Sequence, residues 1–323
     1  EEDFVEEMFI ASTHDYVLFI SNKGIMYKLK CYEIPEGSKQ SRGVNIVNLL
    51  PFEEGGKIAA MIKTNDFEEG KYIVMVTKRG KIKRTSLAAY KNVRKNGLRA
   101  IGLDEGDEIA SVRMTNGENE LIVATYLGRA IRIQENQMRT MSRTAHGVRA
   151  IKLRENDYVV SMARIREGAT VLTVSDKGLG RRCEIDSYRI QHRGGYGLLN
   201  YKTSDEKGYV CGIKVVDESD DIIMISNDGI IIRIRACDVR VMGRYATGVK
   251  LMRINGDDTK VVSFTRAEHD DEAEVETIEQ PSEEELAAEE AASKAEEAGE
   301  ADEPEEFIPD DDEVEDDGAD TEE

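Results

Sequence analysis

The residues best suited to chemistry in this 323-residue chain form one short glycine-rich motif. It reads Gln191-His192-Arg193-Gly194-Gly195-Tyr196-Gly197. Three glycines in four positions allow positive φ angles and a close approach of the backbone to a partner. Backbone N–H groups and the Arg193 guanidinium can then bond phosphate oxygens, while Gln191 offers a neutral hydrogen bond and His192 a weak, pH-dependent charge. The motif therefore predicts a phosphate-contacting loop, and a tight structural turn is the alternative.

Basic residues recur at comparable distances around a glycine in five places along the chain. They are Lys39 and Arg42; Lys91, Arg94, Lys95 and Arg99; Arg139, Arg143 and Arg149; Arg189, His192 and Arg193; and Arg240, Arg244 and Lys250. Acidic side chains are scarce in these stretches. On one rim of a disc such residues would form a positive stripe that neutralises the phosphates of a bent duplex. The alternative, protection of exposed β-edges from aggregation, is weakened by the recurrence in all five places.

No other set of residues predicts catalysis or metal binding. Gly178-Leu179-Gly180 lacks the third glycine of a dinucleotide fingerprint, and no Walker lysine pattern, Ser/His/Asp set or carboxylate pair has supporting context. The four cysteines stand far apart and form no Cys-x-x-Cys pair, which favours buried, reduced thiols. We therefore expect no catalytic residue, no metal site and no cofactor in this chain.

The candidate residues are positioned by a repeat of about 50 residues. An apolar run, a polar turn and a second run with basic residues recur around five glycines: Gly24, Gly80, Gly128, Gly178 and Gly229. A second glycine follows 17 or 19 residues later, at Gly43, Gly97, Gly147, Gly197 and Gly248. Another apolar strand, a turn and a last strand complete each repeat. Runs rich in Val, Ile, Tyr and Thr that meet at a glycine predict β-hairpins.

Each repeat thus predicts about four strands, and helical periodicity is absent from the repeats. The pattern best fits an all-β fold, a radial, propeller-like array of four-stranded blades with five repeats visible. The chain has no tryptophan and no Gly-His…Trp-Asp signature, which argues against a WD-type propeller. The recurrent 19-residue offset argues against a β-sandwich with irregular loops.

Charge divides the chain into two parts. From Glu268 to the end there are 29 acidic residues and one lysine, whereas the rest of the chain has 43 basic and 36 acidic residues. We predict a β-domain over residues 1–266 and a disordered acidic tail over residues 267–323, because dense charge with few apolar groups cannot bury enough surface to fold. No apolar run approaches the ~18 residues of a membrane helix, and no signal peptide is evident, so we expect no membrane partner.

Several parts of this sequence resemble the C-terminal domain of the A subunit of bacterial DNA gyrase, a type IIA DNA topoisomerase. The motif QHRGGYG matches the family's Gln-x-Arg-Gly-Gly-x-Gly box at every fixed position. It departs at His192 and Tyr196, where the family often has Lys or Arg. Residues 12–55 and 241–258 also look like this family, and the resemblance covers residues 1–266.

The resemblance implies a six-bladed β-pinwheel, a propeller-like disc whose rim wraps DNA. The chain would be a fragment of a longer subunit, and this fragment would begin inside or just after the first blade. The domain with the catalytic tyrosine would lie outside the fragment. The intact A subunit would join the gyrase B subunit in an A2B2 enzyme. That enzyme would use ATP and magnesium on other domains. It would introduce negative supercoils, and it would be cytoplasmic and nucleoid-associated in a bacterium.

On this interpretation the domain bends double-stranded DNA through many phosphate contacts and little base reading. The residues expected to contact DNA are Gln191, His192, Arg193, Gly194, Gly195, Tyr196 and Gly197, with Lys39, Arg42, Arg94, Lys95, Arg99, Arg143, Arg149, Arg244 and Lys250. Two alternatives stay open: the C-terminal domain of the topoisomerase IV A subunit, whose boxes are degenerate, and a protein-interaction propeller with an apolar patch. The tail is expected either to compete with DNA for the rim as a tethered polyanion or only to keep the protein soluble.

Overall fold

A computed structural model gives the arrangement of most of residues 11–278. It describes residues 11–37, 43–53, 55–254, 256, 258–269 and 275–278, together with residues 282, 285, 287–288 and 291–292. These residues contain nineteen strands and six short 3-10 turns. The turns are η1 (Cys31–Glu33), η2 (Ile46–Asn48), η3 (Leu87–Tyr90), η4 (Glu135–Gln137), η5 (Ile185–Ser187) and η6 (Ala236–Asp238).

The strands form five antiparallel sheets, which confirms the predicted all-β fold of five blades. The first sheet contains β1 (Tyr16–Ser21), β2 (Ile25–Lys30), β3 (Ile58–Thr64) and β6 (Leu98–Arg99). The second contains β4 (Tyr72–Thr77), β5 (Lys81–Ser86), β7 (Ile109–Thr115) and β10 (Val148–Arg149). The third contains β8 (Glu120–Thr125), β9 (Arg129–Gln134), β11 (Val159–Arg164) and β14 (Leu198–Leu199). The fourth contains β12 (Thr170–Ser175), β13 (Leu179–Glu184), β15 (Val210–Val216) and β18 (Val249–Lys250), and the fifth contains β16 (Asp220–Ser226), β17 (Ile231–Arg235) and β19 (Val261–Glu268).

The order of strands within a sheet explains the sequence pattern. The strands β1, β4, β8, β12 and β16 lie inside their sheets and are buried on both faces, so they read as continuous apolar runs. The strands β3, β7, β11, β15 and β19 contact one another in series from the first blade to the fifth. This places β2, β5, β9, β13 and β17 towards the outside of the array.

A hydroxyl group supports the hairpin turn in every repeat. Residues Ser21, Thr77, Thr125, Ser175 and Ser226 each lie three positions before the first glycine. Each side-chain oxygen accepts the N–H of the residue after that glycine, at 3.1–3.3 Å. The turn is thus fixed by a side chain that can satisfy a backbone donor locally. This hydroxyl recurs at a constant spacing in the sequence, but it was not among the predicted features.

The outermost strand of a sheet comes from the next repeat, a feature that the sequence did not predict. We call the two-residue strands β6, β10, β14 and β18 crossing strands, because each follows the second glycine of one repeat and pairs with the preceding sheet. Gly248 has a φ of +90°, and a Cβ atom there would lie 2.4 Å from the carbonyl oxygen of Gly180. Only glycine allows the backbones to approach so closely.

The first and fifth repeats depart from the predicted four-stranded unit. The segment VNIVNLL of the first repeat was predicted as a strand, but it forms η2 and leaves Val44 and Val47 51% and 57% exposed. Within the described residues the fifth sheet has three strands, because no crossing strand lies beside β17. Both departures concern the crossing strand, which needs a neighbouring repeat as its partner.

Some predictions fall on residues outside the described part of the chain. Lys39 and Arg42 are among them, as is most of the acidic tail, so the disorder of the tail and the boundary at residue 266 stay predictions. The described tail segment Val275–Ile278 does contact the fifth sheet, since the Glu276 N–H donates to the Arg233 carbonyl. None of the described helices has the length or the apolar character needed to span a membrane.

Candidate nucleic-acid interface

The basic stretches of the sequence are docked on the preceding sheet. We call the segment from the 3-10 turn to the second glycine the arm, and its contact with the preceding sheet the seam. The N–H groups of Met141, Gln191 and Met242 donate to the carbonyls of Arg84, Arg132 and Arg182, each at 2.8 Å. The three arms therefore lie in the same register at the outer edges of the second, third and fourth sheets.

The basic residues on the second strands fasten these arms. The Arg132 guanidinium donates to the carbonyls of Ile185 and Tyr188, both at 3.0 Å. The Nε of Arg182 donates to the Val239 carbonyl at 2.6 Å, and Lys28 bonds the carbonyl of Lys91. These charges point at the next repeat and hold the seams together, with Arg182 buried and Arg132 and Lys28 half-buried.

Two further cations lie buried beneath the arms. Lys83 is 0% exposed and donates to the carbonyls of Ala100 and Arg143 at 2.7 and 2.5 Å. Burial, with a smaller effect of the Arg143 charge, lowers the pKa of Lys83 to about 7. Arg181, also 0% exposed, occupies the equivalent position in the fourth sheet and bonds the carbonyls of Gly243, Arg244 and Asn200.

Two of the residues that were predicted to contact DNA at the surface are buried in the structure. Arg244 is only 7% exposed, and its guanidinium donates to the Leu199 carbonyl at 2.8 Å and lies against the rings of Tyr188 and Tyr245. Gln191 is 8% exposed, and its backbone carbonyl accepts from the Gln137 amide at 3.1 Å. The Arg244 side chain therefore holds its arm in place, whereas at Gln191 the backbone carbonyl makes the contact with the previous repeat. An arginine in a polar arm is predicted from sequence to be exposed, so the burial of Arg244 could not be predicted.

The glycine-rich motif forms a loop that is bonded to the previous arm. The Gly194 N–H donates to the Ala150 carbonyl, and the Lys152 N–H donates to the Gly195 carbonyl, both at 2.8 Å. The Arg193 N–H donates to the Gln137 side-chain oxygen at 3.0 Å. The N–H groups of Arg193 and Gly194 thus have internal partners, which corrects the expectation that they would be directed at phosphate.

The side chains of the motif meet those of the previous repeat. The half-buried Arg193 guanidinium donates to the Arg149 carbonyl at 3.4 Å, which brings two arginines together. The Lys152 ammonium lies 4.7 Å from the centre of the Tyr196 ring, in a cation–π contact. His192 is exposed beside them. The loop is therefore part of a positive cluster built from two consecutive repeats.

Exposed cations recur at the same place on successive crossing strands. Arg99, Arg149 and Lys250 are each the second residue after the second glycine, and all three are exposed. The described part of the chain gives their side chains no ion pair. Leu199 takes this position in the fourth repeat, where Arg193 supplies the charge. Because crossing strands are the outermost strands, these cations form a row on the rim.

A second row accompanies the first along the beginnings of the arms. Arg139, Arg189 and Arg240 lie eight residues before their second glycines and are exposed. Arg94 and Lys95 are exposed in the shorter arm of the second repeat, whereas Arg143 is half-buried. Among the predicted basic residues that the structure describes, Arg244 is buried, Arg143 and Arg193 are half-buried, and the others are exposed: Arg94, Lys95, Arg99, Arg149 and Lys250.

Other reactive groups do not form a site among the described residues. No group of three or more His, Cys, Asp or Glu side chains there is placed to hold a metal ion. The four cysteines are free thiols. Burial raises the pKa of Cys211 to about 12, which keeps this thiol protonated at neutral pH. Cys237 is exposed, contrary to the expectation of buried thiols.

The family to which the chain is similar matches it in five segments, one for each repeat. The chain matches the family described as "DNA gyrase C-terminal domain, beta-propeller" over residues 15–65, 71–116, 119–166, 169–217 and 220–265. It is 45% identical over 283 residues to the A subunit of DNA gyrase from Clostridium acetobutylicum, which covers 88% of this chain and 34% of the relative. It is 40% identical to the A subunit of DNA gyrase from Staphylococcus aureus (strain NCTC 8325 / PS 47), with 87% and 32% covered. The chain thus spans about a third of the length of these relatives.

Solved structures show the same architecture. The crystal structure of the C-terminal domain of DNA topoisomerase IV superposes with a TM-score of 0.73 at 27% identity, covering 79% of this chain and 80% of that one. The structure of a DNA gyrase A C-terminal domain gives 0.70 at 25% identity, with 81% and 89% covered. The full-length relatives at 40–45% identity are A subunits of DNA gyrase, which favours gyrase over topoisomerase IV. Five matched segments, one for each sheet, establish that the chain belongs to the DNA gyrase C-terminal domain family.

Proposed function

We propose that this domain binds duplex DNA along its rim and bends it into a curve. The observation that supports this most directly is the row of Arg99, Arg149 and Lys250, exposed at one register position on the outermost strands of the first, second and fourth sheets. Cations at regular intervals on a curved edge match phosphates along a bent duplex. The cluster around Arg193 continues the row where Leu199 interrupts it.

The proposed contact is with the DNA backbone. The longest helical segment in the five blades is the four-residue turn Leu87–Tyr90, so the blades offer no helix to read the major groove. Bending 20–30 base pairs by 40–90° costs on the order of 1–6 kcal/mol, and phosphate contacts must offset that cost. Binding would therefore be tolerant of sequence and strongly dependent on salt.

The larger activity is proposed from the relatives. As part of a gyrase A subunit, the domain would wrap DNA in one hand so that strand passage introduces negative supercoils. ATP hydrolysis, magnesium, the catalytic tyrosine and the gyrase B subunit would belong to other parts of an A2B2 enzyme in the bacterial cytoplasm, acting on the nucleoid. This chain would hold the DNA in its wrapped path and would carry out no chemical step.

A topology assay tests the wrapping directly. Nicked circular DNA is religated with increasing amounts of the protein bound, and the linking number is measured after the protein is removed. We expect a shift towards positive linking number that grows with the protein to DNA ratio. The matched control is a variant with Arg99, Arg149 and Lys250 all changed to Gln, which should shift the linking number much less.

The outcome also separates the alternatives. An unchanged linking number at every protein ratio, with the fold intact, would contradict wrapping. If duplex binding were also absent, the protein-interaction propeller would be favoured. Two exposed apolar pairs could form its predicted patch, Val44 with Val47 in the first repeat and Ile230 with Ile231 at the edge of the fifth sheet.

A further inference from the structure

The outer edge of the fifth sheet differs from the other edges. Within the described residues β17 has no crossing strand, and Ile231 is 50% exposed. The equivalent residue of the second sheet, Ile82, is 0% exposed under β10. A Cβ at Gly178 would lie 2.3 Å from the Met252 carbonyl of the next repeat, whereas a Cβ at Gly229 would meet no atom within 4 Å.

Part of the acidic tail occupies this edge. Arg233 lies four residues after its first glycine, the same position as Arg84, Arg132 and Arg182. Its carbonyl accepts the Glu276 N–H at 2.7 Å, as those three carbonyls accept an N–H of the next arm at 2.8 Å. The tail segment therefore uses the backbone acceptor to which arms bind on the other sheets.

The contact is apolar as well as polar. Ile278 is 6% exposed and packs in the core of the fifth sheet with Ile232 and Met252. In the core of the second sheet, Ala150 and Ile151 of the next repeat are buried in a corresponding way beside Ile82. This buried isoleucine gives the segment a fixed point on the blade within a tail that is mostly acidic.

We propose that the outer edge of β17 is a docking site for an arm-like strand, and that the segment Val275–Ile278 of this chain is its occupant. The site is only partly covered, because a groove of ≈ 430 Å³ remains between Ile230, Ile232, Lys250, Arg253 and the docked segment. An arm with its crossing strand covers more of an edge than this segment does. The tail therefore competes for the edge with any arm-like strand, and it places Glu276 at the same groove as Lys250 and Arg253.

Hydrogen exchange measured by mass spectrometry or NMR on the full chain tests the occupancy. Ile278→Asp places a charge in the buried position, and Thr277→Asp adds the same charge to the neighbouring exposed residue. We expect Ile278→Asp to speed exchange of the Glu276 amide and of the β17 amides at least tenfold. Thr277→Asp should leave exchange within about twofold of wild type. Strand β8 serves as the internal control, and if its protection also falls, Ile278→Ala is measured against the same criteria.

A binding measurement tests the competition. The probe is a fluorescein-labelled peptide with the sequence of residues 139–153, RTMSRTAHGVRAIKL, and a scrambled peptide is its control. We expect Ile278→Asp to bind the probe at least tenfold more tightly than wild type or Thr277→Asp, because its edge is vacant. Equal exchange and equal peptide affinity in all three proteins would overturn the proposal. DNA binding enters neither readout, so a failure of wrapping would leave this result interpretable.

Discussion

The seams on the second and third sheets both hold an arm of the next repeat in place, but they use different side chains to do so. Both arms dock through one backbone bond, from Met141 to Arg84 or from Gln191 to Arg132. Under the second-sheet seam the buried ammonium of Lys83 binds the carbonyl of Arg143. The third-sheet seam has an isoleucine at the equivalent position, and there the Gln137 amide and the loop glycines bond the arm together with the Arg132 guanidinium.

The difference shows what the glycine-rich motif contributes. A buried cation fixes an arm at the expense of desolvating a charge, and it makes that seam sensitive to pH. The motif fixes its arm without a buried charge and keeps Arg193 beside Arg149 at the rim. On the fourth sheet, where Arg181 lies beneath the arm, the arginine equivalent to Arg193 is the buried Arg244.

The largest effect should separate two glycines of the motif. Gly197 has a φ of +69°, and a Cβ there would lie 2.5 Å from the Ala130 carbonyl oxygen, whereas Gly194, at +89°, faces open space. Gly197→Ala should lower the free energy of unfolding by about 3 kcal/mol or more, from backbone strain plus the clash. Gly194→Ala should lose only about 1–2 kcal/mol from strain. Urea unfolding followed by tyrosine fluorescence measures both, and equal losses would show that the crossing strand is not held at Gly197.

The next effect is the pH dependence of the second-sheet seam. The pKa of Lys83 is about 7 in the fold and near 10.5 in the unfolded chain, so the unfolded chain binds more protons between these values. The cost of the buried charge is therefore fully present below pH 7 and is relieved as pH rises. Between pH 7 and 9 the wild type should gain about 2 kcal/mol of stability relative to Lys83→Met.

Urea unfolding at the two pH values measures this gain. Lys95→Met is the matched control, because Lys95 is exposed and its removal should leave the pH dependence unchanged. If the gain persists in Lys83→Met, the pH dependence arises elsewhere. The third-sheet seam, which has no buried lysine, would then no longer differ from the second in this respect.

The smallest effect concerns DNA. Arg149→Ala should reduce the slope of log affinity against log salt by about 0.9, the loss of one phosphate contact, with little change in stability. Arg244→Met should leave the slope unchanged and lower stability by about 2 kcal/mol, because the Leu199 carbonyl loses its charged donor. Fluorescence anisotropy over a salt series measures the slope. A reduced slope in folded Arg244→Met would mean that this side chain leaves the seam when DNA binds.

The repeat and most of the rim could be predicted from the sequence because they follow from local patterns. Apolar runs that meet at Gly80 or Gly128 fix the hairpins, and basic residues near Gly147 and Gly248 fix the exposed row. The sheet to which a strand belongs is not a local property. The crossing strands were therefore predicted as parts of their own blades, although they pair with the preceding one.

The same limit explains the errors at single residues. Arg143 and Arg244 have similar neighbours in sequence, yet one is half-buried and the other buried. What distinguishes them is the residue beneath each arm, Lys83 or Arg181, about 60 positions earlier. The hydroxyl at each hairpin was a local signal that could have been found, since Ser or Thr precedes every first glycine by three residues.

Strand exchange between repeats also has a consequence for synthesis of the chain on the ribosome. A sheet such as the second cannot be completed until Val148 and Arg149 have been made, some 60 residues after the end of strand β5, with which they pair. At about 5–20 residues per second, each blade waits on the order of several seconds with an open edge. Such an edge is where unwanted strand pairing starts, so the order of translation itself sets the period during which each blade is vulnerable to misassembly.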